Sequence, residues 1–128
     1  MTLFEECKEA LGADFRVIDG DGFVAAMNVL KKYPVSKNGV VWEELSFKDY
    51  DGIEELLSGV ANKIDGVYVL ADDAEIPLFC TNLKLIAENI YAVTALSPKL
   101  LIFNDRVIMQ PLFPTEMIRL GYRIGEER

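Results

Sequence analysis

VYVLADDAEIPLFC, residues 67–80, decides the fold. Val67 to Ala71 is a short apolar run rich in β-branched and aromatic residues, as a buried strand requires. Asp72-Asp73-Ala74-Glu75 interrupts it with a polar loop, and Ile76 to Cys80 reads as a second strand antiparallel to the first. Pro77 has no backbone N–H to give to a ladder, so this second strand is expected at an edge or a bulge. LLIFNDRVIMQ, residues 100–110, repeats the design: Leu100–Phe103 and Val107–Gln110 flank the turn Asn104-Asp105-Arg106. Hairpins therefore outnumber βαβ crossovers. The expected class is α+β, one domain with a mainly antiparallel sheet and helices packed on it.

The helices follow outward from these hairpins. Thr81-Asn82 offers a cap for a helix from Leu83 to about Ala95, with Leu83, Ile86, Ile90 and Val93 on one face. Upstream, Asp51-Gly52 opens a helix whose Ile53, Leu56, Leu57 and Val60 align, and Asp65-Gly66 marks a turn after it. Thr2-Leu3-Phe4-Glu5 has the form of a capping box ahead of Leu3, Phe4, Cys7 and Leu11, with Gly12 as the stop. Phe15–Ile18 is β-prone and runs into an expected turn, Asp19-Gly20-Asp21-Gly22. A helix is expected from Phe23 to Lys32, ended by Tyr33-Pro34. Asn38-Gly39 is a turn signal, followed by a strand from Val40 to Trp42 and onward to Ser46. Thr115 to Leu120 reads as a last helical turn closed by Gly121, and Gly125 to Arg128 as a free charged tail.

Composition excludes several kinds of function. The chain has 128 residues with 13 Lys plus Arg against 21 Asp plus Glu, a net charge of −8, and no His. Nucleic-acid binding draws its affinity from cations displacing counterions, and so does attachment to an anionic membrane; this chain is poorly equipped for either. Without His there is no imidazole base, no His metal ligand and no Ser-His or Cys-His pair. The N-terminal MTLFEECKEALG lacks the basic and apolar regions of a secretory signal, and a cytoplasmic location is expected. Cys7 and Cys80 match no metal or redox spacing and read as reduced packing residues, with a disulfide as the alternative.

Motifs with chemistry are few. Asp19-Gly20-Asp21-Gly22 opens like a calcium loop, but Phe23 stands where a ligand and Val24 where the glycine are needed. No glycine-rich phosphate cradle occurs, and no serine has nucleophile-elbow glycines beside it. Neither catalytic residues, nor a metal, nor a cofactor is expected. Asp72, Asp73 and Glu75 crowd one connection: a solvated loop, an acidic recognition surface or, least of all, a metal site. From Glu43 to Glu55 there are six acids (Glu43, Glu44, Asp49, Asp51, Glu54, Glu55) against one base, Lys48. These suit a helix start, whose dipole favours acids, or a face for a basic protein, and Trp42 and Tyr50 lie in or beside the stretch.

Two segments carry a resemblance. LFEECKEAL, residues 3–11, and ADDAEIPLFCTNLKLIAENIYAVTALSPKLLIFNDRVIMQPLFPTEMIRLG, residues 71–121, are similar to the immunity proteins of bacterial contact-dependent growth inhibition. The resemblance implies one immunity-protein-like domain over residues 1–128. It also implies a non-enzymatic function: binding and blocking the C-terminal toxin domain of an exported protein. That partner would be basic and a nuclease acting on DNA or tRNA, with no direct contact of this chain to nucleic acid or membrane. In some related pairs a toxin hairpin extends the immunity protein's sheet, which requires an edge strand. Ile76–Cys80 and Leu100–Phe103 are the two expected edges, and Trp42, Glu43, Glu44, Asp72, Asp73, Glu75 and Phe79 the expected toxin contacts. The alternatives are a small-molecule-binding domain or small enzyme with an unrecognised site, and a general acidic chaperone or nucleic-acid mimic.

Overall fold

A computed structural model describes residues 2–60 and 66–124. Its α-helices are α1 (Leu3–Ala10), α2 (Gly20–Leu30), α3 (Ile53–Val60), α4 (Leu83–Glu88) and α5 (Ile90–Thr94). Its strands are β1 (Arg16–Val17), β2 (Val35–Ser36), β3 (Gly39–Val40), β4 (Leu45–Tyr50), β5 (Gly66–Ala71), β6 (Phe79–Asn82), β7 (Leu100–Phe103), β8 (Ile108–Pro111) and β9 (Ile118–Arg123). Seven of these form one sheet in the order β1-β6-β5-β7-β8-β9-β4, and every pair in it is antiparallel. The expected α+β class with a mainly antiparallel sheet is what the chain adopts.

Strand alternation sends one set of side chains to each face of the sheet. Val67, Val69 and Ala71 of β5, Ile102 of β7, Met109 of β8, and Ile118 and Leu120 of β9 enter the larger core, closed by residues of α1, α3, α4 and α5. The opposite face presents Tyr68, Leu70, Leu101, Phe103 and Ile108 to a smaller cluster with Leu30, Tyr33 and Trp42. The α1 capping box forms as expected: Glu5 N–H donates to Thr2 Oγ1 at 3.1 Å and Thr2 N–H to Glu5 Oε1 at 2.9 Å. Asn82 caps α4 by accepting the Leu85 N–H at 2.9 Å.

Four local expectations are corrected. The helix expected from Leu83 to Ala95 breaks at Asn89, whose side-chain amide donates to the Leu85 carbonyl at 3.0 Å, a local bond that competes with the helix ladder. Asp19–Gly22 is no free turn, because α2 already begins at Gly20. The strand expected from Val40 to Ser46 splits, with a 3-10 turn at Trp42–Glu44 and β4 only from Leu45. Residues 115–120 do not make a helical turn. Thr115 Oγ1 accepts the Met117 N–H at 3.2 Å in a tight turn, and Ile118 enters β9 between β8 and β4, so partners on both sides override a weak helical pattern.

Both expected edges are also corrected. Ile76 closes a turn onto the Asp73 carbonyl at 3.0 Å, the strand starts at Phe79, and β6 then lies between β1 and β5. Leu100–Phe103 is interior, between β5 and β7's other neighbour, β8. Among the described residues the sheet ends instead in β1, two residues long, and β4, six residues long. Asp65 and the tail Gly125–Arg128 lie outside the described residues. Cys7 and Cys80 are free; Cys7 is wholly enclosed, and burial pushes its thiol up to about 11.

Candidate interaction surface

The smaller-core face and the open edge beside it carry an anchored aromatic cluster. Trp42 organises them. The 3-10 turn before β4 points its indole back over β9, where glycine at 121 leaves room for the ring: a Cβ there would sit 2.7 Å from Trp42 Cζ3. Trp42 Nε1 donates to Gln110 Oε1 at 3.2 Å, which satisfies the polar tip of a half-buried ring. Phe47 of β4 meets the indole edge-on, with ring centroids 5.7 Å apart.

Arg119 completes the cluster from β9. Its guanidinium lies 4.5 Å from the Phe47 ring centroid and 5.5 Å from that of Trp42. Asp49, its cross-strand partner, receives Nε at 2.7 Å and Nη2 at 3.0 Å in a fork-to-carboxylate pair. The Arg119 hydrogen bonds hold the Asp49 carboxyl below the usual carboxylate range. Arg119 is thereby charge-balanced and pinned, and Phe47 remains 44% exposed above the open edge.

Beyond Gln110, away from β4, the same face sinks into a groove of about 920 Å³. Leu70 and Leu101 contribute to its apolar lining, with Phe23 from the start of α2 and Ser36–Gly39 from the β2–β3 turn, where Gly39 takes a φ of 108° that favours glycine. Its charges are mixed: Asp19, Asp72 and Asp73 against Lys37 and Lys99.

The expected contact residues therefore fall into three places. Trp42, Glu43 and Glu44 stand at the entry to β4, the two acids exposed. Asp72, Asp73 and Glu75 are exposed on the β5–β6 connection, with Asp73 Oδ1 accepting the Glu75 N–H at 2.9 Å. Four strand spacings of about 4.8 Å separate β5 from β4, and the two acidic groups also lie at opposite ends of the strands, so they are more than roughly 19 Å apart and form no single cluster. Phe79 is a correction: it is 0% exposed and stacks on Phe15 at 4.8 Å, deep in the larger core, because β6 is covered by β1 and α1. Among the described residues no three Asp, Glu or Cys side chains gather as a metal ion requires, and no helix is long and apolar enough to cross a membrane.

Asp49 is among the acids the sequence marks as a face for a basic protein, whereas Phe47, Gln110, Arg119 and Gly121 are not marked as site residues by the sequence. The period-2 alternation of Leu45, Phe47 and Asp49 was available as a signal. Nothing local, however, pairs residues 45–50 with residues 118–123 some 70 positions later.

The family model described as CdiI immunity protein, EcoliA0-like, matches residues 1–121. The match takes in the first 121 of 128 residues and so includes the segment from Gly12 to Leu70 between the two stretches that carried the resemblance. A comparison with curated proteins finds no match.

Proposed function

Because this chain belongs to the CdiI immunity protein family, and so acts by neutralising a cognate toxin of contact-dependent growth inhibition, we propose that the toxin is a basic nuclease held in a one-to-one complex in the cytoplasm. The single observation carrying the toxin reading is the family match over residues 1–121. The nuclease reading rests on charge. An enzyme that grips DNA or tRNA needs a cationic surface, and a chain of net charge −8 complements one. The inhibitor has no turnover of its own: it acts stoichiometrically, as one domain, touching neither nucleic acid nor membrane and needing no cofactor. Strand addition to its sheet supplies part of the affinity through main-chain hydrogen bonds.

Co-expression with the toxin domain encoded immediately upstream tests the reading. Growth should be rescued, and the purified toxin's cleavage of DNA or tRNA should stop at one equivalent of this chain. A toxin that cleaves neither nucleic acid removes the nuclease assignment, and unrescued growth removes the immunity reading. The on-rate should fall steeply as salt rises, since a screening length of ~10 Å at 0.1 M weakens steering between exposed charges. The groove of about 920 Å³ favours a second reading, a small-molecule site. That reading requires a ligand to raise the melting temperature of the isolated chain with no toxin present.

A further inference from the structure

We infer that β4, Leu45–Tyr50, is the seam at which the toxin is joined, and that it receives a strand with basic residues at both ends and an apolar residue between them. This deepens the immunity reading and rests on it. An unpaired strand edge is a template for another chain, and proteins blunt one by keeping it short, covering it or placing charges along it. The two ends of this sheet differ in that respect. β1 offers two residues, whereas β4 offers six, a span of about 20 Å, with nothing paired to its outer side among the described residues.

Charge then specifies the occupant. Glu43 and Glu44 are exposed immediately before β4; Asp51, Glu54 and Glu55 are exposed immediately after it. Between these brackets one carboxylate is matched internally, and the cation Lys48 stays exposed and charged on the strand face opposite Phe47. Asp49 is paired with Arg119 at 2.7 Å, and Lys48 Nζ lies 5.0 Å from the Tyr50 ring centroid. Phe47 is half-exposed mid-strand, backed by Trp42 and Arg119. On the face that carries Phe47 the edge thus reads negative, apolar, negative, and its complement there reads basic, apolar, basic. The groove has no such polarity, because Lys37 and Lys99 oppose its three carboxylates.

The test uses the full chain and the toxin domain encoded immediately upstream. In hydrogen exchange, the outward-facing β4 amides should slow at least tenfold on binding. Phe47→Ala should weaken affinity at least tenfold while leaving the melting transition cooperative. Reversing the brackets together (Glu43→Lys, Glu44→Lys, Glu54→Lys, Glu55→Lys) should lower the on-rate at least tenfold at low salt. The control reversal Asp72→Lys, Asp73→Lys, Glu75→Lys should lower it less than threefold. Should Phe47→Ala fail to fold, exchange on the unmodified protein still decides. A toxin that is bound and neutralised while β4 exchanges as in the free chain overturns the seam and leaves the immunity reading standing. Concentration-dependent protection of β4 in the chain alone assigns the edge to a second copy and likewise overturns it. No binding at all removes both readings.

Discussion

The two faces of the sheet are built by the same strands and finished differently. On the helix-covered face, Val67, Val69, Ile102, Met109 and Leu120 are almost wholly enclosed, and residues of four helices close over them. On the other face, α2, Tyr33 and Trp42 cover only the middle, and polar groups hold the parts together: Gln110 to Trp42, Asp49 to Arg119, Tyr33 Oη to the Asn104 carbonyl at 2.6 Å. Apolar burial is non-directional and contributes most of the stability, while directional polar anchors hold half-exposed aromatics in one geometry. The difference teaches a division of labour: one face stabilises the fold, and the other presents a shaped, partly apolar surface.

Paired truncations are the harshest way to break that comparison. Phe79→Ala removes a ring stacked on Phe15 and tilted against Phe4 and should cost about 3–5 kcal/mol in urea unfolding. Phe47→Ala, at a position already 44% exposed, should cost about 1 kcal/mol or less. Equal costs would mean that the two faces share the load. Gly121→Ala comes next. The new methyl meets Trp42 Cζ3 at 2.7 Å, so the indole must lift, costing about 1–3 kcal/mol and shifting its fluorescence to the red. An unchanged emission maximum would show that the ring is not seated on β9. Gln110→Leu leaves the Trp42 N–H without its acceptor and should cost about 1 kcal/mol. Its effect should shrink in the Gly121→Ala background, where the indole has already moved.

This asymmetry also explains what could be read in the sequence. The hairpin at residues 100–110, the capping box at Thr2 and the pairing of β5 with β6 are local, and local chemistry specifies them. Pro77 reads as the mark of an edge strand, which would leave Phe79 free for a partner. In the fold the proline precedes the ladder, where a missing N–H costs nothing, and β1 arrives from residues 16–17 to cover the strand. Residues 118–120 carry both a helical and a strand pattern, and only β8 and β4 on either side settle it. The acids from Glu43 to Glu55 were legible as a concentration. That they bracket the sheet's long open edge depends on β4 pairing with β9, which no local pattern encodes.

The smallest expected effect probes the polar anchoring alone. With side chains 25% and 31% exposed, the Arg119–Asp49 pair is well solvated, so it should contribute about 1 kcal/mol or less. Arg119 stays charged throughout the accessible range, so the pH dependence belongs to Asp49, whose folded-state value is depressed by its bonds to Arg119. The unfolded chain therefore takes up a proton at Asp49 before the folded chain does. The stabilisation is complete above the unfolded value of about 3.9 and is lost as pH falls through the lower folded value. Asp49→Asn should melt below the parent protein by a constant margin from pH 7 to pH 5, and the margin should close in acid. Comparing the two proteins at each pH cancels the other carboxylates. A margin that persists undiminished to pH 2 would show that the carboxylate's charge is not what pins Arg119 beneath Phe47. The half-exposed aromatic would then depend on packing alone, as its counterparts on the helix-covered face do.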